Sequence, residues 1–156
     1  MHYINTGSSV LNAQVRLNIE RTQSPNPQRA GALITFNTSI RVPPMGTQTV
    51  QGTCTPPAGA NFFILSTHTH KYATLASISD SAGTELVHTT DWENPDTKVW
   101  LQAPFYNFGG TLQYSCSYQN TLNQDLTVGE SAAWNEMCMA VTYYFPAQGG
   151  AGFCAF

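Results

Sequence analysis

The chain has 156 residues, four cysteines and a formal charge of −3, and only 10% of its residues are charged. That length suits one domain with its own core, while six Lys and Arg side chains, nowhere clustered, exclude a nucleic-acid partner, because neutralising phosphate needs several cations on one surface. No apolar run approaches the roughly 20 residues that cross a bilayer, so no membrane partner is expected.

Residues 14–20 set Val15, Leu17 and Ile19 in alternation with Gln14, Arg16, Asn18 and Glu20, the period of a half-buried strand. Further short strands are predicted over residues 32–36, 39–42, 47–53, 61–74, 85–90, 98–102, 111–118 and 137–145. Turn-rich stretches at 24–28, 43–46, 55–59, 94–96 and 108–110 separate them. The glycine-rich residues 148–152 read as a loop leading to Cys154, and Asn37-Thr38-Ser39 fits a glycosylation sequon. No segment sustains a helical period, and the β-branched and aromatic runs suit a pleated surface. The expectation is all-β: an antiparallel, jelly-roll-like β-sandwich forming a single domain over residues 1–156.

Cys54, Cys116, Cys138 and Cys154 contain no Cys-x-x-Cys pair, which leaves two disulfides as the simplest reading and three connectivities open. Disulfides and an uncharged polar surface both suit a secreted protein in an oxidising, extracellular or periplasmic compartment. Met1 is not followed by the basic and apolar segments of a signal peptide, so any export signal lies upstream or has been removed.

In Ser66-Thr67-His68-Thr69-His70 the strand period turns His68 and His70 to one face. Two imidazoles there supply half a coordination shell for copper, zinc, iron or nickel. The same spacing also serves a solvated strand face with no ligand. A second constellation, Trp134-Asn135-Glu136-Met137-Cys138, opens an apolar run. A thioether added to two imidazoles favours Cu(I) over zinc, although on local pattern alone Met137 reads better as a core filler beside Met139 and Val141. Cys138 points to the opposite face, where a disulfide would leave the methionine sulfur clear. Glu130 and Glu136 serve to cap or solvate the strand end as readily as to take part in chemistry. Trp134, Trp92 and Tyr72 read as packing residues, and His88 as a surface histidine.

Through His2-Tyr3, Pro43-Pro44, His68-Thr69-His70, Gly129-Glu130, Glu136-Met137-Cys138 and Tyr143-Tyr144, in this order and spacing, the sequence resembles the type II copper, ascorbate-dependent monooxygenases. Their members include peptidylglycine α-hydroxylating monooxygenase and dopamine β-monooxygenase, and the resemblance is to their C-terminal catalytic copper domain. It implies that His68, His70 and Met137 bind the copper at which oxygen reacts. One oxygen atom would enter a C–H bond of a small-molecule substrate, the other would leave as water, and ascorbate would supply electrons.

The resemblance also implies the pairings Cys54 with Cys154 and Cys116 with Cys138. It makes His2 a ligand of a second, electron-donating copper, with residues 1–10 the tail of an upstream copper domain of the same polypeptide. His2 has the alternative reading of an unengaged terminal residue. Where the peptide hydroxylase binds its substrate's carboxylate with an arginine and a tyrosine, this chain has Ser66 and Val141, which argues against a C-terminal glycine peptide. A copper-binding or carrier module without turnover is the alternative function, and a structural sandwich with incidental histidines is the third.

Overall fold

The computed structural model describes residues 5 and 7–155, and no helix occurs among them. The strands, in chain order, are β1 (Gly31–Phe36), β2 (Arg41–Val42), β3 (Thr47–Cys54), β4 (Asn61–His68), β5 (Ala73–Asp80), β6 (Glu85–Thr89), β7 (Thr97–Val99), β8 (Leu112–Gln119), β9 (Leu126–Val128), β10 (Asn135–Glu136), β11 (Met139–Phe145) and β12 (Gly152–Ala155). They form a five-stranded sheet in the order β12-β1-β11-β4-β7, a four-stranded sheet β3-β8-β5-β6, and a small sheet β10-β9-β2.

The two large sheets share one core, because alternation along strands such as β1, β8 and β11 turns every second side chain inward. Leu33, Phe62, Leu65, Ala140 and Tyr144 come from the first sheet, and Val50, Ile78, Leu112, Tyr114 and Cys116 from the second. Buried threonines on the inner face keep their hydroxyls satisfied: Ala140 N donates to Thr35 Oγ1 at 2.7 Å, and Thr142 Oγ1 donates to the Leu33 carbonyl at 2.7 Å. Disulfides join Cys54 to Cys154 and Cys116 to Cys138, as the family resemblance implied. The first ties β3 to β12, and the second ties β8 to the joint just before β11, so each bond links strands of different sheets.

The expected all-β sandwich is present, with several local departures. Pairing is antiparallel except that β12 runs parallel to β1 and β10 parallel to β9. Residues 14–20 form no strand, and Leu17 and Ile19 stand 76% and 80% exposed. Their alternation encodes a strand, yet no ladder partner among the described residues reaches it, and an unpaired strand leaves its backbone groups to water. The predicted run over 61–74 breaks in two, because the chain leaves the first sheet after His68 and enters the second at Ala73. The strand predicted over 137–145 begins at Met139 as β11, and the residues just before it, Asn135–Glu136, form β10 in a different sheet. At the C-terminus the glycine-rich loop runs directly into β12, whose pairing along β1 carries Cys154 to its partner.

Candidate metal centre

Both sheet crossings meet at one end of β4. His68 is its last residue, opposite Met139 in the ladder with β11. His70 lies beyond the strand, in the turn closed by Ala73 N donating to the His70 carbonyl at 3.1 Å. The strand period therefore does not orient His70, although the two imidazoles still meet edge to face with ring centroids 5.3 Å apart. His68 is half-buried and His70 is buried.

The His70 ring is held from behind. Its Nδ1 lies 3.0 Å from the Asn135 carbonyl oxygen, which can only accept, so Nδ1 carries the proton and Nε2 keeps the lone pair. This is the tautomer and second-sphere bond typical of a metal-ligating histidine. Met137 follows β10 and is half-buried. The β4–β11 ladder ends where Met139 pairs with His68, so Met137 and His70 each lie two residues beyond its end.

Because the chain is changing sheets here, the amides of His70, Tyr72 and Met137 have no ladder partners, and a single fully buried carboxylate accepts from all three. Glu136 Oε2 accepts from His70 N at 2.8 Å and Met137 N at 3.3 Å, while Oε1 accepts from Tyr72 N at 2.7 Å. Burial pushes the Glu136 carboxyl up to about 7, against the pull of these amides. The other end of the Met137 peptide is fixed by Tyr118, whose hydroxyl donates to the Met137 carbonyl at 2.9 Å. Burial also raises the Tyr118 phenol above its ordinary value. Two residues along β8, Cys116 holds Cys138. Gly129 lets β9 close on β10, since a Cβ there would come within 2.5 Å of the Asn135 side chain.

Beside the histidines a recess of about 330 Å³ is lined by His68, Thr69, His70, Trp92, Glu93, Pro95 and Ala132. The loop carrying Trp92, Glu93 and Pro95 is anchored inward: Thr67 Oγ1 donates to Thr89 Oγ1 at 3.0 Å, and that oxygen accepts Asp96 N at 3.1 Å. Ser66 and Val141 face each other in the β4–β11 ladder, one step from the histidines, and Ser66 Oγ is bonded to Thr97 Oγ1 at 3.0 Å. No cation occupies either position.

The sequence singled out His68, His70 and Met137 as candidate donors and left Glu136 open between capping or solvating the strand end and taking part in chemistry; Glu136 is fully buried. The signal was one carboxylate at the mouth of an apolar run, ambiguous until the second crossing supplied its donors. Trp92 lines the recess, and Trp134, expected to pack, is 58% exposed. His88 is exposed, with Nδ1 3.0 Å from Glu85. His2 lies outside the described residues.

Among the described residues no three His, Cys, Asp or Glu side chains converge to hold a metal; two imidazoles joined by a thioether would suit the cuprous ion. Residues 28–155 match the family model described as copper type II ascorbate-dependent monooxygenase, C-terminal domain. No curated protein matches the chain.

Proposed function

The chain belongs to the copper type II ascorbate-dependent monooxygenases and carries their C-terminal domain, and on that premise we propose that His68, His70 and Met137 bind one copper ion serving hydroxylation of a small substrate's C–H bond. The observation that carries the reading is the edge-to-face pair His68 and His70 lining a recess, and it is supported by the Met137 amide sharing Glu136 Oε2 with the His70 amide. When bound, copper supplies the activation of dioxygen, and ascorbate is the electron source.

The residues' own contributions are positional. Asn135 fixes the tautomer and plane of the His70 ring, so its lone pair is presented without further reorganisation. The end of β4 presents His68, and the Thr67–Thr89–Asp96 chain holds the recess loop against it. A substrate lying in the recess would rest on the half-buried Trp92 and exclude water from the histidine pair. Ser66 and Val141 offer a carboxylate no counter-charge, which supports a substrate other than a peptide with a free C-terminus. We place the protein in an oxidising extracellular or periplasmic compartment on the strength of its two disulfides. In this reading His2 belongs to an electron-donating copper site completed by an upstream domain.

Anaerobic Cu(I) titration followed by oxygen uptake with ascorbate tests the proposal. The expected result is one copper per chain, lost on His70→Ala, with oxygen consumption once the upstream copper domain is supplied. Absence of Cu(I) uptake, or uptake indifferent to both His68→Ala and His70→Ala, would sink it. Stoichiometric uptake with no turnover even in the two-domain protein would make the domain a copper carrier.

A further inference from the structure

We propose that Glu136 is a positioning residue for the metal centre: its one buried carboxylate locks the backbone segments bearing His70 and Met137 to each other, and so sets imidazole and thioether in register. This rests on the reading of His68, His70 and Met137 as copper donors.

His70 and Met137 are far apart in sequence and sit where the chain leaves one sheet for another, so no ladder hydrogen bond relates them directly. The same oxygen, Glu136 Oε2, accepts from both amides, at 2.8 Å from His70 N and 3.3 Å from Met137 N. Oε1 takes Tyr72 N at 2.7 Å and pins the far side of the histidine turn.

Buried amides must find an acceptor, and a carboxylate offers about four lone-pair sites with no competing donor. Glutamine would be a poor substitute, because its NH₂ would face an amide N–H. A carboxylate serving only to satisfy a turn need not span two segments. Asp80 is a comparable carboxylate away from the histidines: it accepts Ala82 N and Thr84 N within its own turn and the Tyr106 hydroxyl, and links no segment that bears a proposed donor. The link matters because a methionine side chain turns about three bonds and its sulfur binds weakly. Its contribution to affinity depends on how well its backbone is placed beforehand.

The test compares wild type, Glu136→Gln and Asp80→Asn by Cu(I) competition against a chromophoric chelator, X-ray absorption of the Cu(I) form, and amide hydrogen exchange of the metal-free protein. Glu136→Gln should lose roughly 10- to 100-fold in Cu(I) affinity, the usual span for second-sphere changes. It should also lose the Cu–S scattering contribution, with the His70 and Met137 amides losing protection together. Asp80→Asn, a folding control, should keep affinity and sulfur signal. If Glu136→Gln does not fold, Glu136→Asp, which withdraws the oxygens by one methylene, should show the same losses in smaller measure.

A folded Glu136 variant with wild-type affinity and undiminished Cu–S scattering overturns the inference, as does an equal loss in Asp80→Asn. Wild-type protein that takes up Cu(I) with no sulfur neighbour instead defeats the donor assignment of Met137. In that case independent exchange at His70 and Met137 would still overturn the coupling, and joint exchange would uphold it.

Discussion

In the proposed centre Met137 would carry the chemical distinction, since two imidazoles alone suit several metals and only the thioether tilts the set toward Cu(I). Its backbone is held by Glu136 at the nitrogen and Tyr118 at the carbonyl, neither of which depends on the side chain. Met137→Ala should therefore fold normally and lose at least about tenfold in Cu(I) affinity, as read by chelator competition, because one of three donors disappears. Unchanged affinity would remove the sulfur from the site. Removal of the Tyr118 hydroxyl leaves the buried Met137 carbonyl without that donor, and Tyr118→Phe should cost about 1 to 3 kcal/mol in denaturant unfolding. At this scale the sequence singled out His68, His70 and Met137 as candidate donors because imidazole and thioether are uncommon together. The role of Glu136 was not legible there, because it depends on donors more than sixty positions away meeting it in space.

The elements explain how those residues come to meet. β4 and β11 pair along their length, and both donor-bearing segments begin where that ladder ends. Alternation in the sequence revealed most strands but not their ends, since a crossing between sheets interrupts neither the apolar pattern nor the composition of residues 61–74. The β5–β6 turn has its own fastening: Asp80 holds Ala82 N and Thr84 N on one oxygen and the Tyr106 hydroxyl, at 2.7 Å, on the other. The Tyr106 hydroxyl, then the Thr84 amide, hold the Asp80 carboxyl below its ordinary 3.8. Stability from this group is thus present above that value and lost as pH falls through the lowered one. For Tyr106, burial and then Asp80 raise the phenol from 10 to about 12, so its contribution is present below pH 10 and fades as pH climbs toward 12. Thermal unfolding across pH should show Asp80→Asn flattening the acid limb and Tyr106→Phe the alkaline limb. An acid limb unchanged by Asp80→Asn would remove this carboxylate as its source.

Across the whole molecule the two disulfides stand differently toward the proposed metal centre. The Cys54–Cys154 bond spans 100 residues and joins β3 to the terminal strand β12, at a distance from the histidine turn. Cys116–Cys138 spans 22 residues and grips the residue beside Met137. In the chain-entropy account the longer loop stabilises by about 4.7 kcal/mol and the shorter by about 3 to 3.5 kcal/mol, because closing a larger loop takes more freedom from the unfolded chain. Pairing was legible only through the family resemblance, since spacing alone leaves three connectivities, and the exposed alternation at residues 14–20 shows that a strand pattern does not name its partner. The two losses should separate. Cys54→Ser with Cys154→Ser should lower global stability more, in urea unfolding, while leaving Cu(I) affinity within about twofold, a difference worth only ~0.4 kcal/mol. Cys116→Ser with Cys138→Ser should cost less globally yet weaken Cu(I) binding more, since the β8 brace on the Met137 segment is then reduced to the Tyr118 hydrogen bond. If both pairs shift stability and affinity in proportion, the centre has no brace distinct from the fold, and copper affinity simply follows global stability.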